Sequence, residues 1–258
     1  METNKTKIIG FTFTHNEERI VTLVMQYWER LGVDKLIVFD NLSTDNTVKM
    51  LRKYPFVEIV KFDTFGHFNE MYLTWLRNNV WKECRGFDWA IVADFDEVPY
   101  CETDIREYLD EYDVNIIRTH QYNVIREDFP KEGELVHLQE GNRFNSQGIR
   151  MDKIHIFKPG EIKDINYELG MHYTHPVPAE GYEIKYTEFP PKLYFFHLKY
   201  LSKEYVLRIS KDRDDRVSIE NKRAMINIHY HKMLENYDSE IAALGKIYDS
   251  LKELRDEE

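Results

Sequence analysis

Asp94 and Asp96 stand one residue apart at the end of the apolar run 89–93 (WAIVA). On an extended chain, side chains at i and i+2 leave the same side. Both carboxylates can therefore approach one hard divalent cation, Mn²⁺ or Mg²⁺, with waters and phosphate oxygens completing the shell. Glu97 extends the cluster, either as a further ligand or as a hydrogen-bonded support. Two more polar groups follow apolar runs: His15, Asn16 and Glu17 after 7–13 (KIIGFTF), and Asp40 and Asn41 after 35–39 (KLIVF), with Asp45 just beyond. His197 closes a fourth run, 193–197 (LYFFH). His229 and His231 do not form a chelate, because i and i+2 on a helix point about 200° apart. The chain lacks GxxxxGK[ST], GxGxxG, GxSxG and HExxH. A P-loop NTPase, a Rossmann dehydrogenase, an α/β-hydrolase and a zincin thus lose their usual signatures.

The elements that must position these residues alternate. Strands are expected at 7–13, 35–39, 57–62 and 89–93, separated by helices at 17–31, 46–53 and 68–84. Gly32 is a natural helix stop, and Ser43, Thr44 and Asp45 are helix-start residues. Uniformly apolar strands between helices predict a parallel sheet covered on both faces. Ligands on such sheets sit beyond the carboxyl ends of the strands, so the three polar clusters should share one rim. The second half is less regular. A helix is expected at 103–110, strands at 115–121, 153–157 and 193–197, a polar loop at 126–146, and loop with short strands at 159–192. From Ser202, an N-cap residue, the chain turns helical. The fold class expected is α/β, with a central, mostly parallel sheet flanked by helices and a helical C-terminal tail. Residues 1–200 would form one domain and 201–258 a helical extension.

Charge and composition set the outer bounds. Asp and Glu total 46 against 35 Lys and Arg, a net charge of −11, which disfavours a general nucleic-acid binder. No apolar run approaches the ~18 residues of a membrane-spanning helix. Cys84 and Cys101 have neither metal nor redox spacing and read as reduced thiols in a cytoplasmic protein.

Three stretches together resemble the GT-A glycosyltransferases, specifically the family 2-like group: residues 14–51 (THNEERIVTLVMQYWERLGVDKLIVFDNLSTDNTVKML), 88–98 (DWAIVADFDEV) and 195–204 (FFHLKYLSKE). The resemblance implies a GT-A-like, Rossmann-like catalytic domain over 1–200 (1–100 the nucleotide-sugar-binding half, 101–200 the acceptor half) and a metal-dependent transfer of sugar from a nucleotide-sugar, a UDP-sugar, to a carbohydrate or glycoconjugate acceptor. It implies that Asp96 binds Mn²⁺ or Mg²⁺ at the donor diphosphate and that Asp94 faces the ribose or donor sugar and shares the metal. By the same likeness Asp40, with Asn41 and Asp45 in its loop, selects the base, and His15, Asn16 and Glu17 line the nucleotide pocket. Arg77 approaches the nucleotide sugar, and His197 completes the metal or diphosphate site.

Transfer with inversion requires a base for the acceptor hydroxyl. Asp152, Asp164, Glu168 and Glu188 are candidates, with His172 and His175 as alternatives. Glu168 is favoured for its Gly-flanked polar loop beside His172. Lys153 is a further group able to reach a phosphate. Two competing classes remain: a nucleotidyltransferase, which would show a Gly-rich basic loop where this chain has 14–19 (THNEER), and a non-catalytic sugar-nucleotide or glycan-binding module. Asp96→Ala is expected to leave the fold largely intact.

Overall fold

The computed structural model describes residues 5–136, 141–142, 151–226 and 228–244. Its first part alternates as the pattern predicts: β1 (Ile8–Thr14), α1 (Val21–Leu31), β2 (Lys35–Asp40), α2 (Thr47–Leu51), β3 (Val57–Lys61), α3 (Glu70–Asn79) and β4 (Trp89–Val92). β1 and β4 are buried along their whole length, hence their largely apolar sequences. β1 pairs in parallel with β2 and with β4, and β2 with β3. All four carboxyl ends therefore point to one rim.

Side chains from alternate positions fill two cores. Ile8, Leu36 and Val38 meet α1 through Val24 and Trp28 on one face. Ile9, Phe11, Phe13, Ile37 and Phe39 meet α3 through Leu73 and Leu76 on the other. Gly10 is required between them: a Cβ there would lie 2.6 Å from Trp28 Cζ3 and 2.7 Å from Leu36 Cδ1. α1 begins later than the apolar spacing suggests, because the Ile20 N–H donates to the Glu17 carbonyl and closes a turn first. Gly32 ends it at φ 76°.

The second part comprises β5 (Glu97–Cys101), α4 (Ile105–Asp110), β6 (Ile116–Ile125), β7 (Gly141–Asn142), β8 (Lys153–Phe157), β9 (Ile162–Asp164), β10 (Val177–Pro178), β11 (Tyr186–Glu188), β12 (Leu193–Tyr200), α5 (Lys203–Arg216), α6 (Ile219–Arg223) and α7 (Ile228–Ala242). The main sheet runs β3-β2-β1-β4-β8-β6-β12-β5, with β7 and β11 also on β6; β9 and β10 pair separately. Beyond β4 it is mixed: β8 is antiparallel to β4 and β6, β12 parallel to β6, and β5 antiparallel to β12. The fold class is thus the expected α/β sheet flanked by helices, parallel over its first four strands.

β5 has no counterpart in the sequence expectation. Its Pro99 cannot donate to a ladder, and the strand accordingly lies at the sheet edge. Its register sets His197 opposite Glu97, one residue from Asp96. α5 is capped by Ser202, whose Oγ accepts from the Tyr205 N–H. The helix buries Tyr205, Val206 and Ile209. Among the described residues no helix is long and apolar enough to cross a membrane. Cys84 and Cys101 are free.

Candidate active site

The carboxyl ends of β1 and β4, α3, β8, β12, α5 and the start of α7 enclose a cavity of about 310 Å³. Asp94 and Asp96 reach it from the turn between β4 and β5, which the Glu97 N–H closes on the Asp94 carbonyl at 3.0 Å. α3 supplies Glu70 and Arg77 on its inward face. Arg77 bridges the two elements, 2.6 Å from Glu70 Oε1 and 2.5 Å from Asp94 Oδ1. Buried between two carboxylates, the guanidinium is held charged even more firmly than usual.

Asp96 Oδ2 lies 3.2 Å from Arg213 Nη2 of α5 and 3.6 Å from His197 Nε2. Burial alone would push this carboxyl up; Arg213 and then His197 outweigh it and hold it far below the ordinary carboxylate range. Asn123 Oδ1, at 2.9 Å from His197 Nδ1, fixes the ring from behind. The same Arg213 reaches Glu17 Oε1 at 3.2 Å, and the Tyr205 hydroxyl donates to Glu17 Oε2 at 3.1 Å. Burial wins at Glu17, whose pKa rises to about 7 against the pull of Arg213.

Glu97, on the same cavity wall, is held by a second ring of partners. Lys153 Nζ lies 2.5 Å from Oε1, the Gln121 amide donates to Oε1 at 2.9 Å, and His155 Nε2 sits 3.3 Å from Oε2. Lys153 and His155 keep the buried carboxyl ionised. Lys199 lines the cavity with its ammonium 4.9 Å from the Tyr230 ring centroid. Burial, reinforced by Arg213, lowers its pKa to about 8. His172 is uncharged near neutrality, since burial and then Lys153 lower it to about 4.

Of the residues singled out from sequence, His15, Glu17, Asn41, Arg77, Asp94, Asp96, Glu97, His172 and His197 line this one cavity, as does Lys153. His15 Nδ1 is 2.6 Å from the Asn41 carbonyl, and the Asn41 amide donates to Thr64 Oγ1. The others lie outside it. Asp40 accepts from the Ser43 N–H, Asn16 Oδ1 from the Thr44 N–H, and Asp45 from the Glu18 and Thr47 N–H groups. These three brace the β1 and β2 loops. Asp152 is buried against His120 and the Gln121 N–H, and Glu168 pairs at the surface with His175. His229 faces the cavity, whereas His231 pairs with Asp214 outside it. Sequence reasoning missed Lys199, Arg213 and Tyr230. Arg213 lies more than a hundred residues from Asp96 in sequence, and no local spacing joins them.

The model of Glycosyltransferase family 92 matches residues 10–237. The chain belongs to this family. It is accordingly a glycosyltransferase, as the sequence resemblance implied. Comparison with curated proteins gives no match. Among solved structures, S. aureus TarS 1–349 is similar at 14% identity and TM-score 0.45, over 89% of this chain and 69% of that one. The mannosyltransferase Ktr4p from S. cerevisiae is similar at 11% identity and TM-score 0.31, over 49% and 41%. HddC from Yersinia pseudotuberculosis, complexed with GMP-PN, is similar at 12% identity and TM-score 0.39, over 81% and 99%.

A divalent cation has a limited set of candidate ligands on this family 92 chain. Among the described residues no three His, Cys, Asp or Glu side chains form a ready metal cluster. Glu97 is engaged on both oxygens. Asp94 and Asp96 also line the cavity and pair with their arginines through one oxygen each, which fits the mode in which one or two carboxylates hold the ion and waters and phosphate oxygens do the rest.

Proposed function

We propose that this family 92 enzyme transfers a sugar, with inversion, from a UDP-sugar to a carbohydrate or glycoconjugate acceptor, with Mn²⁺ or Mg²⁺ held by Asp94 and Asp96. One observation carries the reading. Two acidic groups at the β4–β5 turn line a single cavity together with Arg77, Lys153, Lys199 and Arg213. Such a set holds a diphosphate and offsets the charge that grows on it as the glycosidic bond breaks. A bound metal would supply the same charge compensation at the leaving group.

The chain's own groups divide the remaining work. Arg77 holds Asp94 in place, and Arg213 with His197 holds Asp96. Phe13, Phe62, Phe68 and Leu73 give the cavity an apolar wall that limits water. The acceptor oxygen attacks the anomeric carbon, its proton passes to a base, and the bond to the diphosphate oxygen breaks with its electron pair leaving on the diphosphate. Of Glu168, Asp152 and His172, only His172 lines the cavity, so His172 is the base in this reading. Its free pKa of about 4 rises once an anionic diphosphate lies nearby.

Thermal stability against a panel of nucleotides, with and without Mn²⁺, tests the proposal, because a ligand of the folded state raises Tm by mass action. UDP is expected to raise it only with metal present. His172→Gln should keep that rise and lose sugar transfer. A rise with a different nucleotide overturns the UDP assignment, and no rise with any nucleotide overturns the donor site.

A further inference from the structure

α3 is built inside out. Its buried stripe contains Glu70 and Arg77 alongside Leu73 and Leu76, while Met71, Tyr72 and Trp75 face solvent. Trp75 is 56% and Met71 57% exposed. The Tyr72 and Trp75 rings stack with centroids 5.7 Å apart and planes 22° apart, forming a flat platform. Inward charge is explained by the cavity, since Glu70 holds Arg77 and Arg77 holds Asp94. Outward aromatics have no such explanation, and grouped exposed apolar side chains on a soluble surface mark an interaction site.

The platform is continuous with the cavity. Tyr72 packs on Phe62 at 6.0 Å between centroids, and Phe62 lines the cavity wall. Leu73, next in the chain, lines it from the same helix, and the Gly170 N–H donates to Glu70 Oε1 at the opposite edge. The stacked rings thus extend outward from the place where an acceptor hydroxyl must meet the donor.

Charge decides between two kinds of partner. A membrane-surface helix carries Lys and Arg beside its apolar face. The only cation of α3, Arg77, is buried. Phe62 is flanked in sequence by the exposed Lys61 and Asp63, whose charges cancel, and the chain is acidic overall. A neutral sugar ring, with an apolar face of C–H groups and hydroxyls at its edge, matches flat aromatic rings without charge.

We propose that Tyr72 and Trp75 form an acceptor subsite that stacks a sugar unit of a neutral glycan chain, remote from the unit that receives the transferred sugar. This rests on the glycosyltransferase reading of the cavity. The test is calorimetric binding of cellohexaose, xylohexaose and maltohexaose at millimolar concentration to the full chain. Tyr72→Ala/Trp75→Ala is compared with wild type, and circular dichroism checks that the variant folds. At least one hexasaccharide is expected to bind wild type, and about tenfold more weakly or not at all to the variant, with the UDP–Mn²⁺ rise in Tm equal in both. Equal binding to both proteins, no binding to wild type, or sedimentation of wild type with phosphatidylcholine vesicles in place of sugar binding overturns it. Oligosaccharide binding that depends on Trp75, without any UDP response, would sink the donor assignment and leave the platform standing.

Discussion

Asp96 is both a proposed metal ligand and a buried anion. At 3% exposure it is no rim carboxylate, so the expectation that Asp96→Ala would leave the fold largely intact needs revision. Removing one member of a buried ion pair strands the other. Arg213 retains Glu17, which softens the loss. Asp96→Asn should therefore cost about 2–3 kcal/mol in urea unfolding as well as abolish metal-dependent nucleotide binding; unchanged stability would show that Arg213 is not held by Asp96. The acidic pair was legible because a strand end with i, i+2 carboxylates is a local pattern. Its counterions were not. Arg213 reads in sequence as one charge among many on a polar helix, and only the packing of α5 against the β1 loop turns it inward.

At the scale of elements, the position of the rim depends on how closely α1 and β2 approach β1. Gly10 is where that distance is set. Gly10→Ala should destabilise the protein by about 1–3 kcal/mol through overpacking, read as a lower Tm. A neutral result would mean that Trp28 and Leu36 yield freely. β1, β2 and β4 were readable because burial leaves them almost wholly apolar, and β3, a half-buried edge strand carrying Glu58 and Lys61, because Val57, Ile59 and Val60 still mark it. β5 was not, since its acidic first residue and Pro99 mimic a turn. β12 was read short, at 193–197, although it continues through Lys199 and Tyr200. The buried Lys199 carries that strand into the cavity and breaks its apolar pattern.

For the whole molecule, the cavity is closed by parts distant in sequence: the first strand, the third helix, and the C-terminal helices. α5 both buries Tyr205 in the core and delivers Arg213 to Asp96. Binding of UDP with Mn²⁺ should thus slow amide hydrogen exchange in residues 203–216 as well as 94–97. Slowing confined to 94–97 would mean that α5 does not sense the donor.

The lowered pKa of Lys199 has a calorimetric consequence. At pH 8 this ammonium is near half-protonation, and an anionic ligand beside it favours the protonated form. Binding UDP at that pH should draw about half a proton from the buffer. The measured heat will then differ between Tris and phosphate in proportion to their ionisation enthalpies. At pH 8 the difference should shrink in Lys199→Met. Heats that do not depend on the buffer at pH 8 would place the ligand's phosphates away from β12.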